Sequence, residues 1–198
     1  IGGRGLGRHA GKAVFVPCTA PGDHVRCRIT RSHRHFDEAE AVELLVPSGL
    51  RRHPPCPVFG LCGGCQWQHL LYDAQVGWKE RLFREQLLRA GVLSTDAFLP
   101  IEQAPEEWGY RNRVQVKCRQ TTHGSHFVVD TPDCLLASHP IRAAHAWLRT
   151  ELPGSPRPDA IPQIDISSSD DGSVSVLLHA LPDAGEALRQ WLPDMAGR

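Results

Sequence analysis

Hydrophobic and polar residues alternate over the first quarter of the chain, in short runs that glycine and proline turns separate. Residues 12–16, 24–30 and 39–46 show the period-two pattern of strands, and residues 21–23 (Pro-Gly-Asp) predict a turn. Short strands with such turns between them are typical of a small all-β barrel of the OB type. The glycine-rich segment 2–7, which precedes them, predicts a loop.

A helical period replaces this alternation between residues 70 and 90. Apolar residues recur there at close to helical spacing, at Leu71, Ala74, Trp78, Leu82 and Leu88. Gly91 suits the position just after a helix, where a left-handed residue is preferred. More apolar residues lie outside this stripe. The helix therefore either packs within its own domain or has a second face that meets another domain.

A strand is predicted over residues 108–118, with two faces of different character. Its apolar positions include Tyr110, Val114 and Val116, whereas Arg111, Arg113 and Lys117 share the alternate face. Three cations in a row beside a Trp and a Tyr have two interpretations. The cations hold an RNA backbone while an aromatic ring stacks on a base, or the strand simply faces solvent.

The remaining patterns predict a mixed α+β domain. They are a strand at 125–130, a helix at 140–148, a proline-rich loop at 153–162, a hairpin of 163–166 and 173–178, and a helix at 184–192. The proline-containing linker at 51–55 is basic and extended, and it separates this domain from the predicted barrel.

Composition narrows the possible classes of function. The chain has 198 residues, 41% of them hydrophobic, with 22 basic and 22 acidic residues. One domain or two small ones fit this length, and any RNA-binding face must be local because the net charge is zero. No apolar run of about 18 residues and no signal-peptide pattern occurs, so a reducing cytoplasm is predicted. Since the chain begins at Ile1, we interpret it as a piece of a longer protein.

Cations accompany the glycine series near the start of the chain. Arg4, Arg8 and Lys12 lie beside Gly-x-Gly-x-Gly, which is not a dinucleotide fingerprint because it follows no strand and opens no helix. These residues either contact RNA phosphates or form a solvated rim of the barrel.

Three thiols lie close together in the stretch from Cys56 to His69. Cys62 and Cys65 flank a Gly-Gly pair, and Cys56 lies six residues before Cys62. A Gly-Gly turn permits positive φ, so that both thiols can point at one metal centre. A fourth ligand must come from Cys118 or Cys134, and Cys134 is preferred because it lies in a loop that can bend.

Four thiolates suit either zinc or an iron–sulfur cluster. Irregular spacing favours the cluster, which is larger than a single ion, whereas structural zinc sites show paired short knuckles. We expect the other two thiols of the predicted barrel, Cys18 and Cys27, to be buried and inert.

These motifs, in this order, resemble the RNA 5-methyluridine methyltransferases, which methylate C5 of uracil. The resemblance rests on Cys56-x5-Cys62-Gly-Gly-Cys65-Gln-x-Gln-His69, on Trp108-Gly-Tyr-Arg-Asn-Arg113 and on Cys134. The first 50 residues are similar to the TRAM domain of that family, an OB-like RNA-binding barrel.

The resemblance implies a 4Fe-4S cluster on Cys56, Cys62, Cys65 and Cys134, and S-adenosylmethionine as the methyl donor of the full-length enzyme. It also implies ribosomal RNA as the partner, because the transfer-RNA branch generally lacks both barrel and cluster. RNA contacts are predicted at Arg4, Arg8, Lys12, Arg111, Arg113 and Lys117.

Several family features are not found in the sequence. They are a glycine-rich loop for the methyl donor, a catalytic cysteine near a Pro-Pro-Arg segment and a C-terminal glutamate base. We therefore assign no catalytic residue and expect this chain alone to be inactive.

The predicted fold is an OB-like TRAM barrel at 1–50, its first strand missing, followed by an α+β iron–sulfur domain at 51–198. No Rossmann-like methyltransferase domain is predicted within the chain. The predicted function is an RNA-binding module that positions RNA for a methyl-transfer domain outside it. The alternative is a stand-alone structural zinc module that binds RNA or protein.

Overall fold

A computed structural model describes residues 3–91, 94–118 and 128–196 of the chain. The chain divides into two compact units, Ile1–Ala104 and Pro105–Arg198. This division does not test the domain boundary predicted at residue 50, which stays a prediction.

A four-stranded sheet opens the first unit. Its strands are β1 (Gly5–His9), β2 (Lys12–Val16), β3 (His24–Ser32) and β4 (Phe36–Val46), in the order β1-β2-β4-β3. The buried side chains Val14, Val16 and Ala39 form its small core. β1 pairs antiparallel with β2, and β3 with β4, whereas β2 and β4 pair in parallel.

The glycine-rich segment is also corrected by the structure. Residues Gly5–His9 form a strand, not a loop, and this strand pairs antiparallel with Lys12–Val16. A two-residue turn at Ala10 and Gly11, both with positive φ (47° and 80°), joins the two strands. Turns with positive φ at both central residues match the twist of a hairpin, and this geometry explains the tight connection.

Helix α1 (Tyr72–Arg89) confirms the helical period and ends as predicted before Gly91, which has φ +67°. Only Val76 of this helix is fully buried. Segment 94–104 contacts the helix through Phe98, whose ring lies edge-on to Phe83 at 6.3 Å and carries the Arg84 guanidinium at 4.8 Å.

The second unit is α+β. Strands β5 (Arg113–Lys117), β6 (Gln163–Ser168) and β7 (Val174–His179) form an antiparallel sheet in that order, and helices α2 (His139–Glu151) and α3 (Gly185–Ala196) complete the unit. The core contains Ala137, Ile141, Leu148, Ala160, Ile161, Ile164, Ile166, Ala184 and Leu188. The predicted hairpin of β6 and β7 is confirmed.

Two predicted strands of the second unit differ from the structure. The strand predicted from residue 108 begins only at Arg113. The strand predicted at 125–130 lies partly outside the described residues, and its described part, 128–130, is irregular. None of the described helices combines the length and the apolar character needed to cross a membrane.

Candidate nucleic-acid interface and cysteine loop

Two of the three cations predicted on the first sheet have carboxylate partners. Arg4 Nη1 lies 2.9 Å from Glu38 Oε1, and its guanidinium covers the Phe15 ring at 5.1 Å. Lys12 Nζ lies 2.6 Å from Asp37 Oδ1. A phosphate that binds either cation must therefore compete with a carboxylate.

Cross-strand ion pairs continue along the same sheet. Arg26 Nη1 lies 2.5 Å from Glu43 Oε2, and Arg28 pairs with Glu40. These pairs follow the register, which sets each arginine of β3 opposite a glutamate of β4. The middle of the sheet is thus charge-balanced, which agrees with the zero net charge of the chain.

The end of this sheet has a different charge pattern. Arg8 and Arg34 are exposed, and Arg8 Nη1 donates only a long hydrogen bond of 3.5 Å to the Gly11 carbonyl. The turn between β3 and β4 holds Arg34 between His33 and His35. We did not single out this turn from the sequence, although Arg and His residues crowded between two strands are a visible signal.

Two of the three cations predicted in a row on the second unit lie on the exposed face of β5. Arg113 and Lys117 are exposed, and Val114 and Val116 alternate with them toward the core. Arg113 Nη2 lies 3.1 Å from Asp165 Oδ2 but its side chain stays 65% exposed. Lys117 Nζ donates a hydrogen bond to Gln163 Oε1.

Asp165 is the electrostatic centre of this surface. Hydrogen bonds from Gln163, Arg113 and Gln115, together with the nearby His179, lower the pKa of the Asp165 carboxyl to about 2. The carboxylate is therefore ionised at neutral pH, and it neutralises part of the row.

Arg111 lies before this strand. Its backbone N–H donates to Leu136 O at 2.8 Å and its carbonyl accepts from Ser138 N at 2.8 Å, which holds the segment in place. Tyr110 is 59% exposed beside it. An exposed aromatic side chain therefore directly precedes Arg111.

The three clustered cysteines lie in a loop of the first unit, residues 53–67, whose two ends are paired. Arg52 N donates to His69 O at 3.0 Å, and Leu71 N donates to Leu50 O at 2.9 Å. The Phe59 ring packs against the buried His69 ring, with the two ring centroids 5.6 Å apart. Burial lowers the pKa of His69, so the ring is neutral at pH 7.

Tight turns shape this loop. Phe59 N donates to Cys56 O at 3.1 Å, and Cys62 N donates to Val58 O at 3.0 Å. Gly63 has φ +74°, which confirms that the Gly-Gly pair uses a left-handed conformation.

An ion pair anchors the start of the loop. Arg51 Nε lies 2.9 Å from both carboxylate oxygens of Asp23, and Arg51 Nη2 donates to Cys18 O at 2.7 Å. The Asp23 side chain is only 1% exposed and also accepts from the backbone N–H groups of Ala20 and Ser48. From the sequence we assigned Asp23 only to a turn and Arg51 only to a linker.

None of the seven cysteines, all of which lie in the described residues, forms a disulfide. Cys134, the predicted fourth ligand, lies in the second unit, half-buried against its core, and Cys118 is exposed. The expectation for Cys18 is wrong, because this residue is exposed, whereas Cys27 is half-buried.

The cysteine thiols are chemically suited to iron–sulfur clusters and to zinc. Within residues 3–91, 94–118 and 128–196, however, no group of three or more His, Cys, Asp or Glu side chains is arranged to hold a metal ion. We therefore derive no chemical step through a metal.

Comparison with known proteins identifies the fold and the family. The model of the TRAM domain matches residues 1–42. The 23S rRNA (uracil(1939)-C(5))-methyltransferase RlmD of Acidithiobacillus ferrooxidans is 36% identical over 197 residues, which cover 94% of this chain and 44% of that protein. An uncharacterised RNA methyltransferase of Bdellovibrio bacteriovorus is 41% identical over 141 residues, covering 69% of this chain and 36% of its own.

A solved structure matches the same extent of the chain. The tRNA (uracil-54, C5)-methyltransferase of Pyrococcus abyssi, in complex with S-adenosyl-L-homocysteine, covers 93% of this chain with a TM-score of 0.56 and 24% identity. This chain spans 48% of that protein and between about a third and a half of the curated relatives named above.

These matches correct two predictions. The expectation that the chain contains no methyltransferase domain is wrong, because a methyltransferase structure aligns with 93% of it. The interpretation as a binding module separate from the enzyme, or as a stand-alone zinc module, is wrong for the same reason, since RlmD aligns with 94% of the chain. The chain therefore aligns with part of the methyltransferases themselves.

The alignment with a tRNA enzyme also removes one argument for ribosomal RNA. The alignment leaves out only 7% of the chain, so it includes most of the TRAM match at residues 1–42, and the first sheet by itself does not favour ribosomal RNA over transfer RNA. Motif order, TRAM match and near-complete alignment with RlmD together lead to one conclusion. The chain belongs to the RNA uracil-C5 methyltransferase family.

Proposed function

We propose that the protein carrying this chain transfers a methyl group from S-adenosylmethionine to C5 of a uracil in RNA, and that its substrate is 23S rRNA. The observation that carries the proposal is the 36% identity to RlmD over 94% of the chain. The structural match to an enzyme that binds S-adenosyl-L-homocysteine supports the methyl donor. With ribosomal RNA as the substrate, the protein acts in the cytoplasm.

Within that enzyme, the described residues of this chain include exposed cations that suit RNA. S-adenosylmethionine supplies the methyl group, and we assign no catalytic residue to the described segments. Arg111, Arg113 and Lys117 are proposed to contact phosphates, since Arg113 stays 65% exposed in spite of its ion pair. Of the three cations predicted to contact RNA from the first sheet, Arg8 is proposed as a phosphate contact because it lacks a carboxylate partner among the described residues, whereas Arg4 and Lys12 each have one.

Methylation of ribosomal RNA tests the proposed reaction. We expect the full-length protein, with S-adenosylmethionine and unmodified 23S rRNA, to form 5-methyluridine that mass spectrometry of nuclease digests detects. A tRNA transcript serves as the matched substrate control. Methylation of tRNA alone would assign the transfer-RNA substrate instead, and 5-methyluridine in neither RNA would refute the proposed function.

Salt dependence tests the proposed RNA contacts. If these cations neutralise phosphates, the affinity for RNA falls by orders of magnitude between about 50 and 200 mM salt. The R113A/K117A variant should show a shallower salt dependence than the wild type. An unchanged slope would remove these two residues from the interface.

We also propose that Cys56, Cys62, Cys65 and Cys134 ligate a 4Fe-4S cluster in the folded protein. The support is the chemistry of the four thiols and the resemblance of their spacing to that of the family. The described side chains themselves form no group of three or more metal ligands. Anaerobic purification should yield about four iron and four sulfide per chain. One tightly bound zinc in a colourless protein would contradict the cluster and favour a structural zinc site.

A further inference from the structure

The first sheet brings two turns together at one end. Strands β2 and β4 run parallel, with Ala13 opposite Phe36, so the turns that precede these strands lie at the same end of the sheet. One turn connects β1 and β2, and the other connects β3 and β4. We call residues 8–12 and 31–36 together the basic end.

Lys12 joins the two turns. Its Nζ donates to Ser32 Oγ at 2.9 Å and lies 2.6 Å from Asp37 Oδ1, and Ser32 Oγ donates to the same oxygen at 2.6 Å. The hydrogen bond from Lys12 holds the pKa of the Asp37 carboxyl below its ordinary value. Lys12 is therefore a neutralised structural link that positions the two turns.

The cations that remain available at this end are exposed arginines. Arg34 makes no ion pair or side-chain hydrogen bond with the described residues, and Arg8 contacts only the Gly11 carbonyl at 3.5 Å. Elsewhere on the sheet Arg26 and Arg28 face glutamates. The positive charge that a phosphate can reach without displacing a carboxylate is thus concentrated at the basic end.

A stack of aromatic rings lies next to these cations. The His33 ring stacks on Phe36, with centroids 4.3 Å apart and planes 22° apart, and Phe36 meets Phe15 edge-on at 5.5 Å. The His33 side chain is 29% exposed. A ring held on one face by Phe36 and partly open to solvent suits the stacking of an unpaired base.

We propose that the basic end binds single-stranded RNA, with Arg8 and Arg34 on phosphates and a base stacked on His33. The proposal rests on the proposed function, because it takes RNA as the substrate. It places RNA contacts in the turn between β3 and β4, where the sequence predicts none. It also makes Lys12 a positioning residue and not a phosphate contact.

Salt-dependent binding tests the two arginines. The full-length protein is titrated with a fluorescein-labelled single-stranded fragment of 23S rRNA, and anisotropy gives Kd at several salt concentrations. We expect R8A/R34A to weaken binding and to reduce the slope of log K against log salt by about 1.4, since each phosphate contact on a single strand contributes about 0.7. The control R26A/R28A removes the same charge from the same sheet and should leave the slope unchanged.

Two variants of His33 test the stack. H33A should weaken binding by about fivefold or more at an unchanged salt slope, because stacking is not ionic. H33F keeps an aromatic ring and should restore the affinity, and circular dichroism reports whether each variant is folded. Loss of affinity in H33F as large as in H33A would overturn the stacking role.

The outcomes separate this proposal from the proposed function. Normal affinity and slope in R8A/R34A, in a protein that still methylates RNA, overturn the basic end alone. A wild-type protein that neither binds nor methylates RNA overturns both.

Discussion

The buried ion pair between Asp23 and Arg51 offers a sharp test of how the first unit is held together. Arg51→Met removes the cation but leaves the Asp23 carboxylate, whose side chain is 1% exposed. Breaking a buried pair from one side costs about 3–5 kcal/mol. Because Ala20 N and Ser48 N still donate to this carboxylate, at 2.6 and 2.9 Å, we expect the lower end, about 3 kcal/mol.

Arg28→Met is the matched control. It also removes an arginine that faces a carboxylate in the first unit, but the Arg28 and Glu40 side chains are 73% and 47% exposed. Exposed pairs contribute about 0–1 kcal/mol, so this variant should be nearly as stable as the wild type.

Hydrogen exchange measured by mass spectrometry on peptides within residues 12–50 gives a local readout. In Arg51→Met, a decrease of about 3 kcal/mol in the free energy of opening should accelerate exchange about 100-fold. In Arg28→Met the acceleration should be about fivefold or less. The double variant D23N/R51M should recover part of the loss, since it no longer buries an unpaired charge. Equal acceleration in both single variants, or no recovery in the double variant, would refute the reasoning.

The same pair predicts a dependence on pH. Burial raises the pKa of Asp23, but hydrogen bonds from Arg51, Ala20 and Ser48 outweigh it and hold the pKa below its ordinary value. The pair therefore stabilises the fold above the unfolded pKa of about 3.9, and this contribution is lost as the pH falls through the folded value. Protection in the wild type should decline in acid more steeply than in Arg51→Met.

Three further predictions concern other parts of the structure. The pKa of Asp165 falls from 3.8 to about 2 on folding, so the wild type should lose stability as the pH drops from about 4 to 2, and D165N should lose less in thermal melts. Ile166 is fully buried, so I166A should lower the unfolding free energy by about 2–5 kcal/mol in urea titrations, whereas L177A, at a 58% exposed site of the same sheet, should cost about 0.5 kcal/mol or less. Ala10 has φ +47°, so A10G should raise stability by about 0.5–1 kcal/mol and G11A should lower it, and a melting temperature that moves the other way would contradict the turn geometry.

Elements whose signals are local were predicted from the sequence. The hairpin of β6 and β7 follows from period-two runs on either side of Asp-Asp-Gly, and helix α1 follows from its apolar spacing and from Gly91. In each case the residues that determine the element lie within or next to it. Such signals need no knowledge of the partner strand or of the packing.

Strand β1 was missed because its signal is not local. Gly5–His9 has little side-chain pattern, so only pairing with Lys12–Val16 makes it a strand. The turn was hidden as well, because Ala10 occupies a position where Gly or Asn usually marks a hairpin. Likewise, a sequence without the catalytic motifs of a family does not reveal by that absence the fold to which its residues belong.

Neutralisation of charge depends on register, which the sequence does not show. Arg4, Arg8 and Lys12 look equivalent along the sequence, yet among the residues that the structure describes Arg4 and Lys12 face carboxylates and Arg8 does not. The parallel pairing of β2 with β4 sets Lys12 beside Asp37 and brings two turns distant in sequence to one end of the sheet. Because a phosphate binds where positive charge is left unpaired, the register decides which arginines can contact RNA. If the proposed interface is correct, a local excess of Arg and His in a turn is therefore a better guide to RNA contacts than a cation on a regular strand, where a cross-strand acid can neutralise it.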